Sequence, residues 1–145
     1  MDAFELTDKL KALDIDNCVM YAANSEAFLN DVISANREQF KKGKNANGGK
    51  IGKYHMQPYV FMKHRMNPIP GLWNVDLMLT HEFERQMFAK VRGDGILIDS
   101  YDWKSDILKT WYGNEIFGVN ADEISTPVYS MTVEFMKKYQ YETGL

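Results

Sequence analysis

Apolar side chains recur every three to four residues near the start of the chain, which is the spacing of one face of an α-helix. This pattern predicts a short amphipathic helix over residues 2–14. Its apolar positions are Phe4, Leu6, Leu10 and Leu13.

A longer pattern of the same period follows and predicts the long helix of the fold. Asp16 or Asn17 is its expected N-terminal cap, and Gly43 is its expected stop. Neither proline nor glycine interrupts this stretch, and the polar pair at residues 24–25 marks the place where the helix would break. The regularly spaced positions are Ala22, Leu29, Val32, Ile33, Asn36 and Phe40.

Residues 43–74 follow no such period, because five glycines and three prolines punctuate them. Within this stretch only residues 55–66 suggest a short helix. We therefore expect a long irregular loop, of the kind that is usually functional or partly disordered.

The next part of the chain contains short apolar runs of the length typical of β-strands. We predict a strand over residues 75–79, a turn or short helix over residues 80–84, and a strand over residues 86–91. Gly93-Asp94-Gly95 is a hairpin signal, so residues 96–100 should return antiparallel to the preceding strand.

Two helices are predicted in the last third of the chain. The first is capped by Asp102, ends at Gly113 and turns one apolar face inward, formed by Trp103, Ile107, Leu108 and Trp111. Asn120 opens a turn with Glu123 at the capping-box position. The last helix has Thr126 as its cap and Pro127 at its first position. Its apolar stripe is Val128, Met131, Phe135 and Tyr139.

These elements predict an α+β fold in a single domain over residues 1–145. A long N-terminal helix and a C-terminal helix should pack on a small antiparallel sheet, with the irregular loop at its side. A length of 145 residues and 45% hydrophobic residues fit one globular core.

Charge is distributed unevenly, although the net charge is only −3. Residues 37–65 hold eight basic residues and one acidic residue, a local charge of +7. The remainder holds nine basic and nineteen acidic residues, a charge of −10. Such a separation can steer a nucleic acid or an acidic neighbouring subunit toward the basic side.

No pattern in the sequence matches a catalytic, metal or cofactor site. His81-Glu82 lacks the second histidine of a zinc-protease helix, and the aspartates after residue 93 lack the order of a calcium loop. Gly48-Gly49-Lys50 lacks the spacing of a phosphate-binding loop. The single cysteine, Cys18, excludes an intramolecular disulfide and is expected to be buried. We therefore expect no enzyme activity, no cofactor, no signal peptide and no membrane span.

The remaining candidates are interaction residues on the basic loop and on aromatic positions. We expect an interface that uses five lysines and five aromatic residues, namely Lys41, Lys42, Lys44, Lys50, Lys53, Tyr54, Tyr59, Phe61, Trp73 and Trp103. The alternative is a nucleic-acid-binding accessory protein, because lysines interleaved with tyrosines suit phosphate contact and base stacking. A small enzyme or inhibitor and a globular adaptor also stay open.

The order of five segments resembles small tail-completion or virion-morphogenesis proteins of tailed phages, especially those of Bacteroides-type bacteria. The segments are a helix end at residues 36–40, a glycine-rich loop at 46–51 leading to a tyrosine, an Asp-Leu-x-Leu-Thr element within 75–83, a hairpin within 94–100, and a Tyr-Gly-x-x-Ile-Phe-Gly close within 111–119. One position departs from this outline, because His81 stands where glycine follows the Leu-Thr pair.

The resemblance implies a head–tail connector or tail-completion protein in the neck or tail of a phage particle, assembled in the host cytoplasm. Such proteins form a closed ring, with six or twelve copies expected. The expected partners are further copies of the chain, the portal or adjacent neck and tail proteins, and non-specific contacts with genomic DNA, but no membrane. The irregular loop would then be an assembly arm that orders on contact with a neighbour.

Overall fold

The computed structural model describes residues 2–78 and 81–144. The described residues form seven α-helices and one two-stranded antiparallel sheet, so the predicted α+β class is confirmed. In chain order the elements are α1 (Ala3–Ala12), α2 (Ile15–Ala23), α3 (Glu26–Lys41), α4 (Gln57–Met66), α5 (Glu82–Arg85), β1 (Met87–Arg92), β2 (Gly95–Ser100), α6 (Ser105–Tyr112), a 3-10 turn (Asn114–Ile116) and α7 (Ser125–Thr143).

The long N-terminal helix of the prediction is two helices, broken where the polar pair suggested. Ser25 has extended backbone angles, and its hydroxyl accepts a hydrogen bond from the N–H of Phe28 at 3.3 Å, so a new helix begins after it. The predicted cap at Asp16 or Asn17 is wrong. Asp14 caps α2 instead, because its carboxylate accepts from the N–H of Asn17 at 3.1 Å.

Helix α3 lies at the centre of the core and packs on β1 and α7. Phe40, near its end, is fully buried between the rings of Phe83 and Phe117, with centroid distances of 5.8 and 6.4 Å. The Phe83 and Phe117 rings lie 5.7 Å apart, so the three rings form one closed cluster. This cluster joins α3, α5 and the segment after α6 into one apolar core.

Two buried amides of α3 bind an irregular segment of backbone. The Asn36 amide donates to the Ile116 carbonyl at 3.0 Å and accepts from the Gly118 N–H at 2.9 Å. One turn later, the Gln39 amide donates to the Gly118 carbonyl at 2.7 Å and accepts from the Asn120 N–H at 2.7 Å. The side chains of one helix thus supply the hydrogen bonds that a neighbouring strand would otherwise supply.

The predicted hairpin is confirmed, with β1 paired antiparallel to β2 from Met87↔Ser100 to Arg92↔Gly95. Gly93 and Asp94 form a two-residue turn, and Gly93 has a φ of +61°, a left-handed conformation that glycine adopts without strain. Met87 and Ile98 turn toward α3, so helices from both ends of the chain pack on this small sheet.

The irregular loop over residues 43–74 is held against the rest of the chain. The predicted short helix is confirmed as α4, and Ile51 and Val60 are buried. Isolated antiparallel bridges join Lys44 to Lys50 and Lys53 to Asn74. The loop therefore contributes apolar side chains to the core while most of its backbone stays irregular.

The strand predicted over residues 75–79 is wrong for residues 75–78, which form no strand, although Val75, Asp76 and Leu77 are buried. Val75 makes one backbone bond, to the Gly52 carbonyl at 2.9 Å, and the N–H of Asp76 donates to the hydroxyl of Tyr54. The Tyr54 side chain therefore pairs with a backbone N–H group that would bond to a neighbouring strand if this segment were in a sheet. Leu79, the last residue of the predicted strand, and Thr80, the first residue of the predicted turn, lie outside the described residues.

His81 stands where the outline of the resembled family has glycine, and its φ is +63°. This is the left-handed region that glycine adopts most easily. Arg85 then donates its N–H to the His81 carbonyl at 3.0 Å, which closes the first turn of α5. The short helix predicted near this position is confirmed, and His81 adopts a left-handed conformation just before it.

The starts of the last two helices differ from the prediction. Helix α7 begins at Ser125, so Thr126 lies inside it and Pro127 is its third residue, where a missing N–H leaves no helical bond unmade. Helix α6 begins at Ser105, and Asp102 accepts from the N–H of Lys104 at 2.8 Å just before the helix.

The apolar faces predicted for these two helices are only partly correct. In the helix over residues 105–112, Leu108 and Tyr112 pack on the core, whereas Ile107 and Trp111 are exposed. Trp103 precedes the helix and is exposed as well. In the last helix Met131 packs on the core but Val128 does not.

We expect Gln39→Met to destabilise the protein by roughly 2–4 kcal/mol, because the Gly118 carbonyl and the Asn120 N–H lose their buried partners. Urea unfolding measures the change. Gln140→Met, on the exposed side of α7, is the control and should change stability by less than about 0.5 kcal/mol. Equal effects of the two substitutions would contradict the assigned role of Gln39.

Candidate interaction surfaces

Part of the positive charge of the basic segment, residues 37–65, is paired with acidic side chains of the same chain. Lys42 forms an ion pair with Glu123, and this hydrogen bond raises the pKa of Lys42 above its usual value. Lys44 lies 3.9 Å from the carboxylate of Asp122. Glu123, which was expected at a capping-box position, binds Lys42 instead. The acidic turn after residue 120 thus covers one side of the basic segment. The set of lysines predicted to form one interface is therefore interrupted at Lys42 and Lys44.

A buried ion pair anchors the loop from beneath. Lys63 of α4 binds Asp76, and both side chains are almost completely buried. The second oxygen of Asp76 accepts from the Asn67 amide at 2.8 Å, and its first oxygen accepts from the N–H of Met78 at 3.3 Å. Tyr54 donates its hydroxyl to the Asp76 carbonyl at 2.9 Å. These bonds satisfy a charge that would be costly to bury alone.

Above this network lies a cavity of about 510 Å³, which we call the aromatic cavity. Residues 53–56, α4, residues 75–78, α5 and α6 each contribute to its wall. Its aromatic lining is Tyr54, Tyr59, Phe83, Trp111 and Tyr112. Its charged lining is Lys53, Asp76, Glu84 and Lys104, with His55 at the side.

The rings of the aromatic cavity hold one another edge to face. Tyr54 and Tyr59 lie 5.1 Å apart between centroids at 82°, and Trp111 and Tyr112 lie 6.3 Å apart at 88°. Gly52 allows the Tyr112 ring to come close, because a Cβ at that position would lie 2.8 Å from it. Any side chain at Gly52 would therefore displace this wall.

The tyrosines of the aromatic cavity are neutral hydrogen-bonding groups. Burial raises the pKa of Tyr54 far above its usual value, and the charge of Asp76 adds to this rise. Burial also raises the pKa of Tyr59 and that of Tyr112. The rings therefore present uncharged aromatic faces to a ligand.

Glu84 places an unusual carboxyl group in the wall of the same cavity. The residue is 4% exposed, and its Oε1 lies 2.9 Å from Nδ1 of His81. Arg37 donates to the Glu84 carbonyl at 2.9 and 2.6 Å, which fixes the backbone of α5. Within residues 2–78 and 81–144, Oε2 of Glu84 is buried without a hydrogen-bond partner.

The structure brings together three of the ten residues predicted for an interface, since Lys53, Tyr54 and Tyr59 line the aromatic cavity. Lys41, at the end of α3, and Lys50, on the loop, are exposed elsewhere. The aromatic side chains of Phe61, Trp73 and Trp103 are also exposed, but none of the three lines this cavity.

The lining residues that sequence reasoning missed include Glu84, Lys104, Trp111 and Tyr112. Lys104, Trp111 and Tyr112 are close to one another in sequence. Their position beside residues 53–59 is set by the tertiary fold, which no local pattern in the sequence reports. Glu84 has no sequence signal, because a glutamate in a short polar turn usually faces water.

A second concavity, the apolar groove, lies between α3, β2 and the first half of α7 and measures about 550 Å³. Its lining is almost wholly apolar and includes Phe28, Val32, Ile96, Ile98, Val119, Ile124, Val128, Met131 and Phe135. The described residues leave this groove open beside the core.

The first two helices expose apolar side chains that the chain itself does not cover. Helix α1 buries no residue, and Phe4 is 83% exposed. Leu10, Ile15 and Val19 are exposed as well. We call these four residues together the N-terminal face, although Phe4 and Leu10 lie about 120° apart around α1.

In the part of the chain that the structure describes, no cluster of three or more histidine, cysteine, aspartate or glutamate side chains is arranged to hold a metal ion. None of the helices described has both the length and the apolar composition needed to cross a bilayer. Cys18 is buried, as predicted.

Comparison of the chain with models of protein families, with curated protein sequences and with solved structures found no significant match.

We expect Lys63→Met to destabilise the protein by about 3–5 kcal/mol, because it leaves the Asp76 carboxylate buried without its cation. Adding Asp76→Asn to this variant should recover part of the loss, since it removes the uncompensated charge. Lys50→Met on the exposed side of the loop is the control. Chemical denaturation checks all three, and a double variant no more stable than Lys63→Met would argue against the ion pair.

Proposed function

We propose that the protein is a structural subunit that assembles head to tail with copies of itself. The observation that supports this proposal is that one chain carries both an uncovered apolar protrusion, the N-terminal face, and an unfilled apolar recess, the apolar groove. The two surfaces share no residue. A contact between them is therefore heterologous, and repetition of such a contact generates a ring when its rotation closes.

Phe4 is the side chain best placed to enter the groove of a neighbour. On α1 it lies on the side away from Leu6, which is partly covered. Burial of one phenylalanine side chain contributes about 1.5–3 kcal/mol. A stable interface needs about 1,000 Å² or more, so the contact must include the surface around the groove.

The resemblance to phage proteins suggests where such a ring functions. We infer that the protein is a neck or tail component of a tailed phage, a head–tail connector or a tail-completion protein, and not an enzyme. Three exposed lysines, Lys41 at the end of α3 and Lys50 and Lys53 on the loop, would then face DNA in the channel or an acidic neighbour. Surfaces rather than a reaction centre would carry the function.

We expect the purified protein to oligomerise, and both Phe4→Glu and Val128→Glu to yield monomers. Each variant places a charge in one half of the proposed contact. A mixture of the two variants retains one intact N-terminal face and one intact groove, so it should form heterodimers but no larger species. Native mass spectrometry distinguishes these states.

Ile69→Glu is the matched control, because Ile69 is exposed but belongs to neither surface. It should leave the oligomer intact. A monomeric wild-type protein at about 100 μM, or dissociation by Ile69→Glu as well, would contradict the head-to-tail contact.

The phage role has a separate test in particles purified from the source of the sequence. Quantitative mass spectrometry should find about six or about twelve copies of the chain for each portal vertex. Absence of the chain from intact particles would exclude the virion role while leaving the head-to-tail contact to be judged by the variants above.

A further inference from the structure

We propose that the double turn after α4 binds a membrane surface that contains anionic lipids. Four apolar side chains are exposed there, namely Met66, Ile69, Leu72 and Trp73, and we call them the apolar tip. Exposed cations lie beside them, so one region supplies both an apolar and a basic contribution, as peripheral membrane binding requires. The proposal does not rest on the head-to-tail contact, because the tip shares no residue with the N-terminal face or the apolar groove.

Two consecutive β-turns carry the apolar tip. The N–H of Gly71 donates to the Pro68 carbonyl at 3.1 Å, and the N–H of Asn74 donates to the Gly71 carbonyl at 3.3 Å. A β-turn reverses the chain at its two central residues. Three of the four residues of the tip occupy such central positions, so their side chains stand at the corners of the double turn.

Trp73 has a left-handed backbone conformation, which a bulky residue adopts only under constraint. Its φ is +75°, at the third position of its turn, where type II turns usually have glycine. Such a conformation costs free energy and is found chiefly at functional sites. Neighbouring bonds enforce it. Tyr54 donates its N–H to the Trp73 carbonyl at 2.8 Å, and the Asn74 amide donates to the preceding turn at 2.6 Å.

The segment beneath the apolar tip is anchored to the core. The Asn67 amide donates to the Lys41 carbonyl at 2.7 Å and to the Asp76 carboxylate at 2.8 Å. Gly43 lies against Pro70, since a Cβ at Gly43 would come within 2.7 Å of the proline Cβ. The apolar tip is therefore held in place, and it stays exposed unless a surface outside the chain covers it.

The charges near the apolar tip favour an anionic partner. Residues 39–75 contain no acidic side chain. Lys53 forms an isolated bridge with Asn74, at the end of the second turn. The Lys41 carbonyl accepts the amide hydrogen bond at the end of α4, and Arg65 lies in the last turn of that helix. All three cations are exposed, so an anionic surface that covers the tip also lies near them.

The mixture of side chains indicates lipid rather than nucleic acid. DNA, proposed above as one partner of the exposed lysines, would leave the aliphatic side chains of the tip in water, because bases stack on aromatic rings. At a lipid interface the aliphatic side chains enter the acyl region, tryptophan lies at the level of the head groups, and lysine and arginine meet anionic lipid. A peripheral contact thus replaces the expectation of no membrane partner, because such a contact needs no spanning helix.

The matched probes are vesicles of phosphatidylcholine alone and vesicles with about 30% phosphatidylserine, and cosedimentation of the full chain measures binding. We expect the anionic vesicles to bind at least about tenfold more tightly, because each cation near such a surface contributes a factor of about five. Added salt should weaken this preference, since it screens the attraction.

Ile69→Glu places a negative charge in the apolar tip and should reduce binding to the anionic vesicles at least about tenfold. Ile107→Glu makes the same change at an exposed isoleucine of α6, outside the tip, and should bind as the wild type does. Circular dichroism checks that both variants are folded. Since Ile69→Glu should leave the oligomer intact, loss of lipid binding and loss of assembly are separate results.

Trp73 reports on the contact directly once the other two tryptophans, Trp103 and Trp111, are replaced by phenylalanine. Its fluorescence should shift to shorter wavelength when anionic vesicles are added, because its ring leaves water. The proposal is overturned if the anionic vesicles bind no better than the neutral ones, or if the emission of Trp73 stays unchanged. Equal binding by Ile69→Glu and Ile107→Glu would overturn it as well.

Discussion

The position of the C-terminal half depends on hydrogen bonds from two fully buried side chains of α3, Asn36 and Gln39. Their amides bind the backbone at Ile116, Gly118 and Asn120, in the irregular segment that connects α6 to α7. Because each amide both donates and accepts, the segment is fixed in register as well as in distance. The three-ring cluster around Phe40 then packs where these bonds place it, and so does the start of α7.

A second polar constraint organises the opposite side of the core. The buried pair of Lys63 and Asp76 ties α4 to residues 75–78, and Tyr54 completes the satisfaction of Asp76. Burying two charges costs several kcal/mol per ion before pairing, so this contact adds less to stability than to the choice of one conformation. A glycine-rich loop can thereby form a definite wall of the aromatic cavity.

Local signals in the sequence predicted those elements whose stabilising contacts are local. Gly93-Asp94 specified the hairpin, because the turn needs a left-handed residue at that place, and Ser25 marked the break between α2 and α3. The strand expected at residues 75–79 does not form over residues 75–78, because an apolar run alone does not supply a pairing partner. The pairing of Lys42 with Glu123 joins positions 81 residues apart, which no local pattern reports.

The amide contacts of α3 also determine how the connecting segment opens to water. The N–H groups of Gly118 and Asn120 donate to side chains of α3 rather than to a neighbouring loop. Exchange of these amide protons with solvent therefore requires that α3 separate from the segment, which also disrupts the packing around Phe40. The irregular segment around residues 116–120 therefore opens to solvent only together with α3. It belongs to the same cooperative folding unit as that helix.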